Sequence, residues 1–313
     1  MTTVPQFAAI LVNYNAGPEI ERALRSIVDE MGGESWQGIV IDNASVDGSA
    51  TKVNQFLPHV RLIRNDANVG FARGVNQGLA ATTAPYVLIM NPDCRLMAGA
   101  IAALRGVLDA QPRCALTGPR VLNPDGSVQG SARGDPDMLT GLFGRTTLLR
   151  KVAPFLPIGR RNIVVDEAIR SGQPSAEVDW VSGACMLVRR TAFDQVEGMD
   201  ERFFLYWEDA DLCKRIGEKG WRTVYFPGAT VVHAGGRSSI HVYRESLAAF
   251  HRSAFFLFRK HARWPARLFT PIVYLALEMR LRALLFVHRH RLRSSTAQPA
   301  TVNNERPQER IRG

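Results

Sequence analysis

Apolar runs and amphipathic stretches take turns along the N-terminal part of this chain. Residues 7–13 (FAAILVN) are almost wholly apolar, as a strand buried on both faces would be. Residues 18–28 place Ile20, Leu24, Ile27 and Val28 at helical spacing, and residues 38–42 (GIVID) form a second apolar run that ends in the polar turn 43–49. A further helix, a short strand at 60–64, a helix at 74–81 and the apolar run 86–90 (YVLIM) follow. The β-α-β-α-β order predicts an α/β fold, a doubly wound sheet that is mixed but mostly parallel, with helices on both faces. Ligands of such sheets bind beyond the carboxyl ends of the strands. Asn13, Asp42 and Asn91-Pro92-Asp93 all fall at such ends.

The pattern then loosens. Residues 119–174 are rich in Gly, Pro and Arg, which predicts long loops and a mobile segment over the site. Regular structure is expected again at 178–189, 191–196, a helix over 208–219, a strand over 222–226 and the run 231–233. Helices fill 243–293, and the polar stretch 294–313 is expected to be disordered. The division this implies is a principal domain over 1–237, a basic helical region over 238–293 and a tail over 294–313.

Composition adds two points. A chain of 313 residues, 46% hydrophobic, can bury a substantial core. Its net charge of +10 is concentrated near the C-terminus, where Arg244, Arg252, Arg259, Lys260, Arg263, Arg267, Arg280, Arg282, Arg289, Arg291 and Arg293 face only Glu245 and Glu278. Interleaved with Phe255, Phe256, Phe258, Trp264, Leu268, Phe269 and Phe286, this reads as an element lying on an anionic membrane surface or as an amphipathic helix packed on the main domain. Glu278, Arg280 and Arg282 argue against a membrane span over 268–287. Cys94, Cys114, Cys185 and Cys213 form no CxxC pair, and residues 1–7 carry no signal-peptide pattern, so a reducing, cytoplasmic setting is expected.

Candidate chemistry lies in carboxylates placed beside apolar residues, where an idle charge would be costly. Asp42 can accept a hydrogen bond from a pyrimidine imide, with backbone around Asn13 and Tyr14 adding contacts; it can equally cap the following turn. The loop from Asn68 through Gly70 and Arg73 to Asn76 can approach a phosphate, while Gly74 and Gly78 also permit close helix packing. Asp93, after Asn91-Pro92, suits a divalent cation held mainly by a diphosphate, with His233 as a second ligand or a structural histidine. Glu208 and Asp209 offer a general base, although acidic residues are favoured in a first helical turn in any case. Trp180, just before Gly183, can stack on a sugar face or belong to the core.

Taken in order, the segments 12–15 (VNYN), 40–49 (VIDNASVDGS), 68–76 (NVGFARGVN), 90–93 (MNPD), 180–190 (WVSGACMLVRR), 198–204 (GMDERFF), Glu208-Asp209 and His233 resemble a family 2 inverting glycosyltransferase, specifically its bacterial rhamnosyltransferase-like branch. The resemblance spans residues 7–237. It implies a GT-A fold with a C-terminal helical appendage. Asp42 is then a pyrimidine contact, Asp93 and His233 the metal site for Mg²⁺ or Mn²⁺, and Asp209 the catalytic base with Glu208 its rival. Asn13, Tyr14, Asn68, Gly70, Arg73, Asn76 and Asn91 complete the donor side; Trp180 and Gly183 serve the acceptor. The implied donor is dTDP-L-rhamnose or a UDP-sugar, and the acceptor a glycan hydroxyl, on a surface glycan or on a polyprenyl-diphosphate-linked one. The usual Asp-x-Asp stands here as Asn91-Pro92-Asp93. A nucleotidylyltransferase would need a Gly-rich, basic loop after the first strand, and residues 12–17 supply none. A nucleic-acid-binding role would leave Asp42, Asp93 and Asp209 without a purpose, so no nucleic-acid partner is expected.

Overall fold

The computed structural model describes residues 5–32, 35–134, 172–235 and 243–296. Four strands follow the apolar runs closely: β1 (Phe7–Asn13), β2 (Trp36–Asp42), β3 (Val60–Arg64) and β4 (Tyr86–Met90). They lie parallel in the order β3-β2-β1-β4, with Asn13 beside Asp42 at the carboxyl ends. Beyond β4 the sheet changes polarity. The strands β5 (Cys94–Leu96), β6 (Cys114–Leu122), β8 (Ala176–Val178), β10 (Cys185–Arg189) and β11 (Arg222–His233) extend it to nine strands among the described residues. β10 runs antiparallel to both β4 and β6, β11 is parallel to β6, and β5 and β8 are antiparallel to β11. A small second sheet pairs β7 (Ala132–Arg133) with β9 (Trp180–Val181). The sheet is therefore mixed as expected, with its parallel character concentrated in the first four strands.

Alternation along the strands assigns each side chain a face. Phe7, Ala9 and Leu11 of β1 join one core with Ile20, Leu24 and Ile27 of α1 (Glu19–Met31). A four-residue α2 (Ser49–Lys52) follows β2. Ile10 and Val12 join the opposite core with Val75 and Leu79 of α3 (Phe71–Ala80). Gly74 and Gly78 make that approach possible, since a Cβ on Gly78 would lie 2.5 Å from Ile10 Cγ2 and one on Gly74 2.9 Å from Val12. Their packing role is thus visible in the contact. Gly78→Ala should cost about 1–3 kcal/mol of stability by overpacking, and thermal melts of the two proteins should separate accordingly.

Two expectations need adjusting. The strands expected over 222–226 and 231–233 are one strand, β11, irregular between Phe226 and Thr230. Residues 119–122 belong to β6 and 132–133 to β7, residues 123–131 are irregular as expected, and 135–171 lie outside the described residues. The helix α4 (Ala100–Ala110), which joins the α1 side of the sheet, had no counterpart in the sequence reading. After α5 (Arg190–Asp194) comes α6 (Glu208–Glu218), close to the helix expected over 208–219.

The C-terminal helices α7 (Tyr243–His261) and α8 (Thr270–Thr296) form an antiparallel pair, with Phe255 against Tyr274 and His251 against Arg280. α7 is seated on the sheet domain. Ser253 Oγ donates to the Leu205 carbonyl at 2.9 Å, and Phe256 meets Phe203 edge-on. Lys260 reaches both Asp200 (2.7 Å) and Asp211 (2.6 Å), while His261 Nε2 donates to Asp211 at 2.7 Å. For α7, the packed-helix alternative is the one the structure displays. The expected disordered tail begins within α8, which runs to Thr296, and its remainder lies outside the described residues.

Candidate active site

The carboxyl ends of β1 and β2 meet in a buried polar knot. Asn13 Nδ2 lies 2.7 Å from Asp42 Oδ1, with the Ser45 and Ser49 hydroxyls at 3.1 and 2.9 Å. The second oxygen of Asp42 accepts from Ser45 N–H at 3.3 Å, so this carboxylate shapes the turn after β2. The donor-side residues next in sequence are also strongly engaged. Asn68 Oδ1 accepts from Gly70 N–H and from Asn43, Asn76 binds both the N–H and the carbonyl of Met199, and Arg73 lies 3.8 Å from Glu201. Gly70, at φ +88°, would place a Cβ 2.5 Å from the Phe204 carbonyl. These residues clasp the 198–204 segment to α3.

That clasp fixes the approach to α6. Tyr206 and Trp207 are both left-handed, at φ 68° and 69°, a strained choice for bulky side chains. Packing holds them there: Trp207 lies against Trp180 and Phe250, and Tyr206 against Phe250. The turn delivers Glu208 and Asp209, both nearly buried, at the helix N-terminus. Asp209 Oδ2 accepts from Gly183 N–H and Oδ1 from Ala210 N–H, each at 2.8 Å. Two backbone donors thus orient the carboxylate and leave further acceptor directions on both oxygens.

Asp209 lines a cleft of about 730 Å³, open to solvent, together with Glu208, Asn91, Trp180, Gly183, Arg133, Tyr206, Trp207, His233 and Phe250. The structure therefore brings Asn91, Trp180, Gly183, Glu208, Asp209 and His233 into one space. Asn13, Tyr14, Asp42, Asn68, Gly70, Arg73, Asn76 and Asp93 are not among its lining residues. Gln129, Arg133 and Phe250 went unnoticed in the sequence because none belongs to a motif. Trp207 Nε1 is buried and has no hydrogen-bond partner among the described residues.

Asp93 and His233 stand at the edge of this space, with His233 Nε2 3.3 Å from Asp93 Oδ1. Gln129 Nε2 donates to the His233 carbonyl and to Asn123, which turns Gln129 Oε1 toward His233 Nδ1 at 3.0 Å. With Gln129 Oε1 as acceptor, Nδ1 is the nitrogen placed to donate, which leaves Nε2 facing a carboxylate oxygen. Two acceptors facing each other call for a cation or a shared proton between them. An imidazole whose other nitrogen is hydrogen-bonded is also the usual arrangement of a metal ligand. The donors fit a hard or borderline divalent cation. Cys94, within 4.8 Å of both, is unsuited: burial pushes its thiol well up, and it donates to the Ala184 carbonyl.

The sequence profile described as "Glycosyl transferase family 2" matches residues 8–196. The chain belongs to that family. A Mycobacterium tuberculosis relative, N-acetylglucosaminyl-diphospho-decaprenol L-rhamnosyltransferase, is 36% identical over 82% of this chain and 85% of its own length. Rhamnosyltransferase WbbL of Escherichia coli is 45% identical over a shorter stretch, 18% of this chain and 21% of that one. A mannosyltransferase from Pyrobaculum calidifontis, solved with GDP-Man and Mn²⁺, superposes with a TM-score of 0.55 at 19% identity, over 95% of this chain and 77% of its own. GalNAc-T7, solved with UDP, GalNAc and Mn²⁺, gives a TM-score of 0.56 at 15% identity, over 74% of this chain and 44% of its own. The glycosyltransferase thus has the GT-A fold and falls in the rhamnosyltransferase-like branch. Its family profile ends before Asp209, so the base candidate and the cleft wall supplied by α7 lie in the more C-terminal part of the enzyme.

Proposed function

We propose that this glycosyltransferase moves L-rhamnose from dTDP-L-rhamnose to a hydroxyl of a lipid-linked sugar. The observation that carries the reading is Asp209, oriented by two backbone N–H groups in an aromatic-walled cleft that also holds Asn91 and His233. The relative named for a diphospho-decaprenol acceptor supports the acceptor class, with polyprenyl-diphosphate N-acetylglucosamine the first to try.

Asp209 takes the proton of the acceptor hydroxyl as that oxygen attacks C1 of the donor sugar. The bond from C1 to the diphosphate oxygen breaks, its electron pair leaves with dTDP, and the anomeric centre inverts. Glu208 is the rival base. Asp93 and His233 hold a divalent cation, Mg²⁺ or Mn²⁺, which when bound offsets the charge on the departing diphosphate. Asp42 and the Asn13 knot shape the pyrimidine end, with Tyr14, Asn68, Gly70, Arg73 and Asn76 around the donor. Trp180 stacks on a sugar face of the acceptor. A lipid-linked acceptor places the enzyme at the cytoplasmic surface of the plasma membrane, as a peripheral protein. Among the described residues no helix is long and apolar enough to cross a membrane.

Thermal stabilisation tests the donor. At a hundredfold excess over Kd a ligand of the folded state contributes about 2.7 kcal/mol, several degrees in Tm. A shift with dTDP-rhamnose and divalent cation supports the reading, a shift with a UDP-sugar alone replaces the donor, and no shift with any nucleotide sugar removes it. Asp93→Ala should weaken cation-dependent dTDP binding about tenfold, as lost metal ligation does. Equal affinities in chelator and in Mn²⁺ for both proteins would strip Asp93 of that role.

A further inference from the structure

The helix α8 carries two apolar stripes. One, built on Val273 and Leu277, is buried against α7. The other runs along Leu268, Ile272, Leu275 and Met279, every three to four residues, and resumes at Phe286 beyond the exposed Arg282, on a single face of the 3-10 turn Ala266–Phe269 and the helix that follows. This second face points to solvent: Ile272, Leu275, Met279 and Phe286 are 63%, 57%, 58% and 63% exposed, and Trp264 at its start is 75% exposed. Among the described residues nothing covers it. Single exposed apolar side chains are ordinary, but a continuous exposed stripe marks an interaction surface.

The charge around the stripe selects the partner. Arg263, Arg267 and Arg289 are exposed alongside it, and the acidic Glu278 is bridged to Arg282 at 2.9 Å. A second copy would bring the same arginines together, whereas an anionic surface complements them. An apolar face flanked by arginines, with a tryptophan at one end and too polar to span, is the pattern of a helix lying in the interfacial plane of a bilayer. We propose that the face formed by Leu268, Ile272, Leu275, Met279 and Phe286 seats the enzyme on an anionic lipid surface. α7, packed on the neighbouring stripe of the same helix, supplies Phe250 to the cleft, so membrane contact and cleft wall belong to one helical pair. The proposal deepens the lipid-linked acceptor reading and rests on it for its purpose.

Flotation of the full-length enzyme with phosphatidylcholine vesicles, with and without phosphatidylglycerol, tests it. The unmodified enzyme should float with the anionic vesicles. The triple variant Ile272→Glu, Leu275→Glu, Met279→Glu should bind at least about tenfold more weakly, because its charges would have to enter the acyl boundary. The pair Arg263→Gln, Arg267→Gln, which leaves the apolar stripe intact, should lose most of its preference for anionic vesicles. The nucleotide-sugar thermal shift, measured on the same samples, should be unchanged in all variants, which separates loss of the surface from loss of the donor reading. No flotation of the unmodified enzyme, or equal flotation of all variants, overturns the proposal. So does a dimer by light scattering that the triple variant abolishes without any vesicle binding, since the stripe would then pair two copies.

Discussion

Asp209→Asn is expected to lower kcat about a thousandfold, the middle of the range for a positioned general base, equivalent to about 4 kcal/mol of activation free energy. The amide has nearly the same shape but cannot take the acceptor proton. Its oxygen can still accept from Gly183 N–H or from Ala210 N–H, though not from both as the two carboxylate oxygens do. A stability cost of about 1 kcal/mol is therefore expected, no more than one lost hydrogen bond. Stabilisation by the nucleotide sugar should survive, because the donor-side residues are untouched. Single-turnover rates beside donor thermal shifts decide the matter. Loss of donor binding with the rate of the remaining complex intact would move Asp209 to the donor site. A thousandfold loss in Glu208→Gln with a mild Asp209→Asn would exchange the two roles.

The largest effect on stability is expected at Asp211, two residues further along α6. It is fully buried and receives Arg215 at 2.7 Å, Lys260 at 2.6 Å and His261 at 2.7 Å. Asp211→Asn leaves that group of donors around a neutral amide, at a cost of about 3 kcal/mol, the low end for breaking a buried pair because the donors keep some solvent. The midpoint should fall by roughly 5–8 °C. The pH dependence has a definite sign. Burial pushes the Asp211 carboxyl up, but His261, Lys260 and Arg215 outweigh it and hold the group below the usual carboxylate range. Asp200 is likewise held low by Arg202 and Lys260 against its burial. The unfolded chain binds protons at these groups first, so their stabilisation is complete above about pH 4 and fades as pH falls toward the lower folded values. Melting between about pH 5 and pH 2 should therefore be steeper in pH for the unmodified enzyme than for Asp211→Asn. Parallel curves would mean that the cluster contributes little.

Much of the parallel half of the sheet was legible because buried parallel strands write themselves as apolar runs. Phe7–Asn13, Val60–Arg64 and Tyr86–Met90 have the expected bounds, and the acids at strand and helix ends stood out against apolar neighbours. Cys94–Leu96 and Ala132–Arg133 are too short to display a period, and they pair with segments more than forty residues away in the chain. α7 could be read as helical, but its charges gave opposite hints about its partner. Lys260 and His261 at its end turn inward to the buried Asp211, while Arg263 and Arg267 just beyond it are exposed. Nothing local distinguishes those two pairs. The cleft's Phe250 and the Gln129 that orients His233 depend wholly on tertiary placement.

The bond from Ser253 to the Leu205 carbonyl, together with Phe250 beneath Tyr206 and Trp207, gives the enzyme a heritable seam. The parallel strands and the knot at Asp42 come from the family-matched segment, whereas β11 and one wall of the cleft are written later in the chain. A chimera that kept the former and borrowed the C-terminal helices of a relative would inherit one parent's strand ends and the other's aromatic wall. Divergence in the helical pair alone would then reshape the aromatic wall of the cleft while the strand ends around Asp42 stayed unchanged.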